Sequence, residues 1–401
     1  MVRSFDTPAV RRTTQANIFG EIFKSGTTSR IEIARELHLN KATVSAAVDD
    51  LIQQNLVREM GYGESQGGRK PILLAVNSDA AYTISIDVQI THVTTGVLTL
   101  TGDTVWVTEH PLYRVDISLT KEQVVNDLIR EIHQAMEHVP PSSHGLLGVG
   151  IALPGMVDAN TGHVYYLPNL ELSDWELGST LAARIPVPVY IDNDANCGAL
   201  AEHIRTRKDN MVFINAGIGI GAGIVARGLL YRGEHGIAGE YGHMTISAMG
   251  LRCSCGSYGC WEEYASERAL LRMLQERGEL PDQQIPHSEF MSLCVARAQS
   301  GQHHYLDALT ELGRFIGIGI ANICNTLDPS CIFVGGSMAD AFPFIAEPMR
   351  QVLRHRAMPV NHEIEVIPAE RGSVIRGASR LVLYEVLLNQ GSDGSSLFGG
   401  D

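Results

Sequence analysis

The sequence contains no apolar segment long enough to cross a membrane. Nowhere in its 401 residues does a run of consecutive apolar residues reach about 18, the length that spans a bilayer. The first 15 residues also lack the apolar stretch that a secretory signal requires. These two absences predict a cytoplasmic protein with no membrane association. In that compartment the seven cysteines are expected to be free thiols or metal ligands rather than disulfide bridges.

Basic residues are scarce outside the first 75 positions. The chain has a net charge of −14, yet residues 1–75 hold ten basic and eight acidic side chains, and the rest holds 21 basic and 37 acidic ones. Because an acidic surface repels DNA phosphates, this asymmetry favours a small nucleic-acid-binding head on an acidic body. The length allows two or three domains, and the hydrophobic content of 44% is that of a globular protein.

Local signals in the first 76 residues predict a helix-turn-helix. Apolar side chains at helical spacing indicate a helix over residues 15–25. Ser29 and Glu32 have the spacing of a capping box, which starts a second helix. Asn40 is the expected N-cap of a third helix over residues 41–54. Two short helices joined by a tight turn form the helix-turn-helix motif, although an ordinary helical hairpin has the same signals.

In this motif the N-terminal residues of the second helix enter the major groove. The residues expected to contact bases are therefore Lys41, Ala42, Thr43, Ser45 and Ala46. Strands over residues 56–59 and 71–76 are expected to form a hairpin, or wing. Arg69 and Lys70 at the base of the hairpin are expected to contact phosphates or the minor groove. The alternative for these two residues is a solvated pair of charges.

A group of metal-ligating side chains lies between residues 243 and 262. It consists of one imidazole and three thiols: His243, Cys253, Cys255 and Cys260. Three thiolates and an imidazole complete a tetrahedral zinc site, whereas the alternatives are free cysteines or a disulfide. Glu240 and Glu262 flank the group, and carboxylates beside a metal-bound histidine can accept hydrogen bonds from several hydroxyls. The alternative is that both glutamates are solvated helix residues. The other cysteines are expected in the core: Cys197, Cys294, Cys324 and Cys331.

Two motifs resemble the ROK family of repressors, open reading frames and sugar kinases. They are GEYGHM at residues 239–244 and CSCGSYGCWE at residues 253–262. The segments SRIEIARELHLNKATVS and GGRKP resemble the repressor members too, and the likeness is closest to the xylose-repressor type. The resemblance extends over nearly the whole chain.

The body has β-branched runs separated by helical stretches such as residues 121–137, which predicts α/β layers. The β-branched runs are at residues 82–88, 94–100, 148–153 and 188–191. The resemblance implies an N-terminal winged helix-turn-helix domain and a two-lobed α/β body of actin-like, ribonuclease-H-like and sugar-kinase-like fold, with a sugar in the cleft. The implied segments are 1–76 for the head, 77–194 for the first lobe, 195–390 for the second lobe and 391–401 for a disordered tail. The C-terminal helix of the second segment is expected to return to the first lobe.

The resemblance also implies a sugar site. Residues 193–196 match the N-D-A-N motif of the family. In its kinases the aspartate that matches Asp194 is the general base for the attacking hydroxyl. The alternative is that Asp194 only caps the helix that starts at Ala195. The implied sugar-binding residues are Asn193, Asp194, Glu240, His243, Glu262 and, from a second segment, Asn169.

The phosphate loops of the kinases are altered in this chain. Their first strand ends in D-x-G-G-T, whereas this chain has Gln89 and Ile90 in place of the two glycines. In the second loop, over residues 217–223, Ile218 replaces a threonine. Backbone N–H groups approach phosphates only where side chains are absent. Productive ATP binding is therefore not expected, and neither is enzyme activity.

These features together predict a sugar-responsive, DNA-binding transcriptional repressor of carbohydrate-utilisation genes. An aldose, with xylose as the first candidate, would release a homodimer from a palindromic operator. Zinc would order the loop that carries the sugar-binding residues. The alternatives are an ATP-dependent sugar kinase with an appended DNA-binding domain, and a constitutive DNA-binding protein that senses a partner protein.

Overall fold

A computed structural model of the chain covers the N-terminal region and the body. It describes residues 7–64, 70–89, 92–111, 120–168, 170–279 and 287–388. Several sequence predictions fall outside these ranges: those for Arg69, Ile90, Asn169 and the tail at 391–401. Within the described ranges, no helix combines the length and the apolar character needed to span a bilayer.

The N-terminal region, called the head below, consists of three helices and a small antiparallel sheet. Its elements are α1 (Thr7–Ser25), β1 (Thr28–Ser29), α2 (Arg30–Glu36), α3 (Lys41–Gln53), β2 (Val57–Tyr62) and β3 (Ile72–Val76). The strand order is β1-β3-β2. Buried side chains from the helices and strands, among them Ile22, Val48 and Leu74, form one cluster. Helix α1 begins at Thr7, earlier than predicted. Its first turns were missed because residues 7–14, TPAVRRTT, carry little apolar pattern.

Both predicted helix caps of the head are confirmed. Ser29 Oγ accepts a hydrogen bond from the Glu32 backbone N–H at 3.3 Å, and the Glu32 carboxylate accepts one from Ser29 N at 2.9 Å. Asn40 Oδ1 accepts from Thr43 N at 2.8 Å. The caps satisfy N–H groups that a helix start leaves without partners. Helices α2 and α3 are joined by a tight turn in which His38 has a φ of 51°.

The first lobe of the body is built on a five-stranded sheet. Its elements are β4 (Tyr82–Val88), β5 (His92–Thr99), β6 (Thr104–Pro111), α4 (Lys121–Met136), β7 (Leu146–Leu153), β8 (Met156–Asp158), β9 (His163–Leu167), β10 (Leu172–Trp175), α5 (Leu177–Ala182) and β11 (Val189–Asn193). The strand order is β11-β7-β4-β5-β6, with β4, β7 and β11 parallel and β5 and β6 antiparallel to their neighbours. Strands β8, β9 and β10 form a separate small sheet.

The second lobe repeats the topology of that five-stranded sheet. Its elements are α6 (Asp194–Thr206), β12 (Met211–Ala216), β13 (Ile220–Ala226), β14 (Leu229–Leu230), α7 (Glu262–Ala265), α8 (Glu267–Glu276), α9 (His287–Gln299), α10 (His303–Leu327), β15 (Cys331–Gly335), α11 (Phe342–Arg356), β16 (Glu365–Pro368) and α12 (Ser373–Leu383). The strand order is β14-β13-β12-β15-β16. Strand β12 has the antiparallel-paired strands β13 and β14 on one side and the parallel-paired strands β15 and β16 on the other, as β4 has β5 and β6 on one side and β7 and β11 on the other. This duplicated sheet is the two-lobed α/β body that the resemblance implied.

Helices α6 and α12 pack closely against each other and connect the two lobes. A Cβ on Gly377 of α12 would lie 1.8 Å from the carbonyl oxygen of Cys197 on α6. A Cβ on Gly150 of β7 would lie 2.0 Å from the carbonyl oxygen of Ala378. Since side chains at these positions would collide with backbone, glycine is required for the approach. Helix α12, from the end of the chain, therefore lies on the sheet of the first lobe.

The four strands predicted for the body are present within two residues of the expected bounds as β4, β5, β7 and β11, and so is the helix α4. Strand β6 was not predicted. The sequence also predicts a helix over residues 311–326, which is the C-terminal part of the longer α10. A buried strand is predicted from the sequence over residues 331–338. It ends at Gly335, because Gly336 has a φ of 68° and a 3-10 turn follows. The four cysteines predicted in the core are buried: Cys197, Cys294, Cys324 and Cys331.

The head is docked on the body through apolar and polar contacts. Leu100 and Leu147 of the first lobe and Val382 of α12 belong to the same buried cluster as the core of the head. The His144 side chain lies 2.7 Å from the carbonyl oxygen of Gln54, just after the C-terminal end of α3. The end of α3 that is docked on the body is thus its C-terminal end.

Candidate functional site

Asn193 caps the helix that begins at the end of β11. Its Oδ1 accepts hydrogen bonds from the backbone N–H groups of Ala195 and Asn196, at 2.9 and 3.2 Å. Its Nδ2 donates to the carbonyl oxygen of Gly155 at 3.0 Å, which ties the loop after β7 to the start of α6. The N-cap is therefore Asn193 rather than Asp194, which leaves the Asp194 side chain with a different environment.

Asp194 is a buried carboxylate with two donors. It is 7% exposed. Its Oδ1 accepts from the Ala195 N–H at 2.8 Å and its Oδ2 from Asn215 Nδ2 at 2.8 Å. Burial raises the pKa of Asp194 to about 6, opposed by these two hydrogen bonds and reinforced by the nearby charge of Glu240. Near neutral pH this carboxylate is a strong acceptor for a hydroxyl group.

Asp87 is a second carboxylate in the same part of the cleft, and its side chain is half-buried. Burial, with a smaller contribution from the charge of Asp194, raises the pKa of Asp87 to about 7. The side chain of Gln89 donates to Asp87 Oδ1 at 2.5 Å, which opposes that rise. Where the kinases of the family have a glycine, this chain therefore has Gln89, whose amide is hydrogen-bonded to the carboxylate of Asp87.

The turn before α6 depends on a salt bridge that the sequence did not reveal. Asp192 is 2% exposed, and its Oδ2 accepts two hydrogen bonds from the Arg232 guanidinium at 3.0 and 2.7 Å. Its Oδ1 accepts from the Asn193 N–H and from Asn196 Nδ2. This network fixes the backbone from which Asn193 and Asp194 project. The 40 residues between the partners of the salt bridge leave no local sequence signal.

Glu240, His243 and Glu262 form one connected group. The Nε2 atom of His243 lies 3.9 Å from Glu240 Oε2, and its Nδ1 atom lies 3.6 Å from Glu262 Oε1. Burial raises the pKa of Glu240; the charge of Glu262 adds to this effect and His243 opposes it. Because Glu240 also acts electrostatically on Asp194, the described residues predicted for sugar binding share one region of the cleft.

The predicted metal ligands converge as well. The Nδ1 or Nε2 of His243 and the Sγ atoms of the cysteines lie within 4.8 Å of one another: His243, Cys253, Cys255 and Cys260. Cys255 Sγ and Cys260 Sγ are 3.7 Å apart, and Cys253 Sγ is 3.6 Å from the Nδ1 of His243. Tetrahedral bonds of about 2.3 Å to sulfur and about 2.0 Å to nitrogen place ligand atoms about 3.6–3.8 Å apart. The cluster therefore has the size of a tetrahedral metal site. Nδ1 is the ring nitrogen near Cys253, and Nε2 lies on the side of Glu240.

A buried tryptophan fastens the Cys/His loop to the second lobe. Trp261 is fully buried, and its indole N–H donates to the carbonyl oxygen of Phe315 at 2.8 Å. A Cβ on Gly319 of α10 would lie 2.0 Å from the indole ring, so the ring packs directly on the helix backbone. Because Glu262 follows Trp261, this packing also positions a carboxylate of the cleft.

The glycine-rich segment 217–223 comprises the tight turn at 217–219, which connects β12 to β13, and the first residues of β13. Gly217 N–H donates to the Gly219 carbonyl at 3.0 Å. A Cβ on Gly223 would lie 2.2 Å from the Ala195 carbonyl oxygen, and one on Gly219 would lie 3.3 Å from Glu262 Oε2. Close packing against α6 therefore accounts for Gly223 without a nucleotide.

The residues predicted to contact DNA lie on the outer face of α3. Lys41, Ala42 and Ala46 are exposed, while Thr43 and Ser45 are partly exposed. The opposite face of the helix is buried in the head. Lys70 is exposed just before β3, and Arg69 lies outside the described residues.

A duplicated α/β body with carboxylates and an imidazole gathered in the cleft between its halves is typical of sugar kinases and their regulatory relatives. The chain matches the ROK family model over residues 83–385 and belongs to that family. It is 36% identical to the xylose repressor of Bacillus spizizenii over 389 residues, which is 95% of this chain and 98% of that protein.

Two solved structures show the same fold. One is a ROK family transcriptional regulator, a homologue of the E. coli MLC protein, with a TM-score of 0.78, 25% identity and coverage of 98% of this chain and all of that one. The other is a ROK family glucokinase from Streptomyces griseus in complex with glucose and AMPPNP, with a TM-score of 0.65, 28% identity and coverage of 75% of this chain and 98% of that one. The regulator thus matches the chain at full length, whereas the kinase leaves about a quarter of it unmatched. The expected fold class and family are confirmed.

Proposed function

We propose that this protein is a sugar-responsive, DNA-binding transcriptional repressor of carbohydrate-utilisation genes, with xylose as the first candidate inducer. One contrast within the cleft carries the proposal. The carboxylates and imidazole suited to hydroxyl groups lie together, whereas the amide of Gln89 lies on Asp87 where the kinases of the family have glycine. The similarity to a xylose repressor over 95% of the chain supports the same function.

The sugar would be held by hydrogen bonds to its hydroxyl groups. Asp194 and Glu240 provide acceptors, His243 provides a ring nitrogen, and Asn193 and Glu262 complete the set. We assign Asn169 to the same site from the sequence alone. A buried set of acceptors discriminates strongly for hydroxyls, because an unpaired carboxylate in a closed cleft is costly.

The Cys/His cluster fits zinc. Three thiolates and one imidazole form the donor set of a structural zinc site, and the distances between the ligand atoms agree with it. Bound zinc would supply the cross-link that holds the loop closed. The loop then orients the imidazole of His243 through Nδ1 and leaves Nε2 free to face Glu240 and the sugar.

The head would bind operator DNA as a winged helix-turn-helix. The base-contacting residues are Lys41, Ala42, Thr43, Ser45 and Ala46, and the phosphate-contacting residues are Arg69 and Lys70. A homodimer would place two recognition helices on a palindromic operator. The sugar would act by binding one arrangement of the lobes better than the other, since a ligand shifts an equilibrium only through such a difference in affinity.

A sugar kinase with an appended head is the second candidate, because Asp194 occupies the position of the catalytic base. Phosphoryl transfer requires positioned phosphate and Mg²⁺ contacts, and Gln89 and Ile218 oppose them. The two functions therefore differ in their response to nucleotide.

Thermal unfolding of the zinc-loaded protein separates the candidates. A ligand that binds only the folded state raises the midpoint by mass action. We expect one aldose to raise it and Mg-ATP to leave it unchanged. A rise with ATP would support the kinase, and no rise with any aldose would refute the sugar site. Glu240→Gln should abolish the sugar response, and Glu137→Gln, an exposed glutamate just after α4, is the matched control.

Zinc and DNA binding are measured separately. Cys255→Ser should lose bound zinc by metal analysis, while Ser254→Ala in the same loop should retain it. Selection of bound duplexes from a random library should enrich an inverted repeat, and addition of the sugar should release it. Enrichment of a single unrepeated site would contradict the dimer.

A further inference from the structure

A cavity of about 550 Å³ lies where the head meets both lobes. It is bounded by the end of α1, the strands β2 and β3, the turn between β5 and β6, the C-terminal part of α6 and the helix α12. Its lining includes six cationic side chains: Lys24, Arg58, Arg205, Arg207, Arg376 and Arg380. Two carboxylates, Asp103 and Glu370, are also in the lining. The cavity is therefore strongly cationic in a protein whose net charge is −14.

One of the six cations has a structural role. Arg380 donates to the carbonyl oxygens of Leu100, at 2.9 Å, and Thr101. Its guanidinium also lies over the ring of Phe23, 4.6 Å from the ring centroid. These contacts tie α12 to the first lobe and to α1, so Arg380 forms a wall of the cavity.

Two more cations share one carboxylate. Arg205 lies 3.6 Å from a carboxylate oxygen of Glu370 and also pairs with the buried Glu202. Arg376 lies 3.2 Å from the other oxygen of Glu370. Glu202 and Glu370 therefore offset the charges of these two arginines, and the excess positive charge of the cavity comes from the other cations of its lining.

The remaining three cations have no anionic partner. Within the described part of the chain, the side chains of Lys24, Arg58 and Arg207 form neither an ion pair nor a hydrogen bond, and all three are exposed at the mouth of the cavity. They come from the head and from the end of α6. Holding like charges around one cavity is unfavourable unless an anion or solvent screens them.

We propose that this cavity binds a small phosphorylated metabolite. Guanidinium groups match phosphate oxygens with paired hydrogen bonds, and several of them around one cavity suit a phosphomonoester better than a neutral sugar. The volume exceeds what one inorganic phosphate fills and falls within the range of small-molecule sites, so a mononucleotide or a sugar phosphate fits in size. The cavity lies outside the cleft that holds Asp194 and Glu240.

The position of the cavity favours a small molecule over the operator. Helix α3 has 13 residues, which corresponds to about 20 Å, and its C-terminal end is the one docked at His144. The end that carries Lys41 is thus directed away from the junction. Contact with DNA phosphates at the cavity is the competing outcome of the test below.

Occupation of the cavity would couple to the position of the head. A ligand there touches the head through Lys24 and Arg58 and the second lobe through Arg207, so it binds best when these elements are held together. This consequence for regulation rests on the proposed function. The binding itself does not, because it can be measured without sugar or operator.

Calorimetric titration with AMP and with inorganic pyrophosphate, at constant ionic strength, tests the site. We expect both to bind the wild-type protein and adenosine not to bind. The double variant Arg58→Gln/Arg207→Gln should weaken both affinities about tenfold or more, as expected for lost charge-assisted hydrogen bonds. Arg314→Gln/Arg350→Gln, which removes two exposed cations of α10 and α11, should leave them unchanged.

Three results would overturn the proposal. Equal weakening in both double variants would mean a general effect of net charge, and equal binding of adenosine and AMP would mean that phosphate is not recognised. Loss of duplex DNA binding without loss of pyrophosphate binding would assign the cavity to the operator. Unfolding midpoints of both variants, measured first, confirm that each one folds.

Discussion

Asp194→Asn provides a quantitative test of the cleft, because burial strongly raises the pKa of this carboxylate. The side chain is 7% exposed and its pKa is raised from 3.8 to about 6. A shift of roughly 2 units corresponds to about 3 kcal/mol between the two protonation states. Because the folded-state pKa is the higher one, the protein is stabilised below pH 4, and this stability is lost as the pH rises through about 6.

The asparagine variant lacks this titration. The free energy of unfolding of the variant, minus that of the wild type, should therefore increase by roughly 2 kcal/mol between pH 4 and pH 7. The change in hydrogen bonding at Asn215 adds about 1–3 kcal/mol of destabilisation, but at every pH. The effect of pH on the Cys/His loop is common to both proteins and cancels in the difference.

Chemical denaturation at several pH values measures this difference. If the difference in unfolding free energy between variant and wild type does not change between pH 4 and pH 7, Asp194 is not held in a desolvated site and the account of the cleft is wrong. The same variant should weaken sugar binding about tenfold or more, the loss expected when a charged acceptor is removed. A functional carboxylate is expected to bind its ligand at a cost in stability near neutral pH, and the asparagine variant should reduce both.

Three further variants test the parts that hold the cleft in place. Cys255→Ser should lower the unfolding midpoint when zinc is present and have little effect after chelation; an equal effect in both conditions would contradict a metal role. Gly319→Ala should destabilise by about 1–3 kcal/mol or more in denaturant titrations, since its Cβ would lie 2.0 Å from the indole of Trp261. Arg232→Ala should cost about 3–5 kcal/mol because it leaves the buried Asp192 unpaired, whereas a cost below about 1 kcal/mol would show that water replaces the guanidinium.

Local sequence signals predicted local structure well. The capping box at Ser29 and the cap at Asn40 depend on atoms within three residues, so their sequence spacing determines their geometry. The Cys/His cluster was predictable for a related reason: its ligands lie within 18 residues, and glycines allow the loop to fold back. The candidate sugar-binding residues were identified mainly from the family resemblance, because Asp194 and Glu240 are far apart in the chain.

Contacts between distant segments could not be predicted from the sequence. Asn215 donates to Asp194 and Arg232 pairs with Asp192 only because β12 and the segment after β14 pack beside α6. The cationic cavity likewise collects side chains from six separate segments. Sequence spacing does not indicate such contacts, because they depend on the topology of both sheets.

The contact between Gln89 and Asp87 gives a physical reason for the proposed absence of kinase activity. An aspartate that serves Mg²⁺ must be ionised and open to the metal. Here burial raises the pKa of Asp87 to about 7, and the Gln89 amide, 2.5 Å away, occupies one of its oxygens. The carboxyl group is therefore partly neutral near pH 7 and already hydrogen-bonded. Replacing Ile218 alone would not restore nucleotide binding, because the obstruction at Asp87 would remain; restored binding in Ile218→Thr would refute this reasoning.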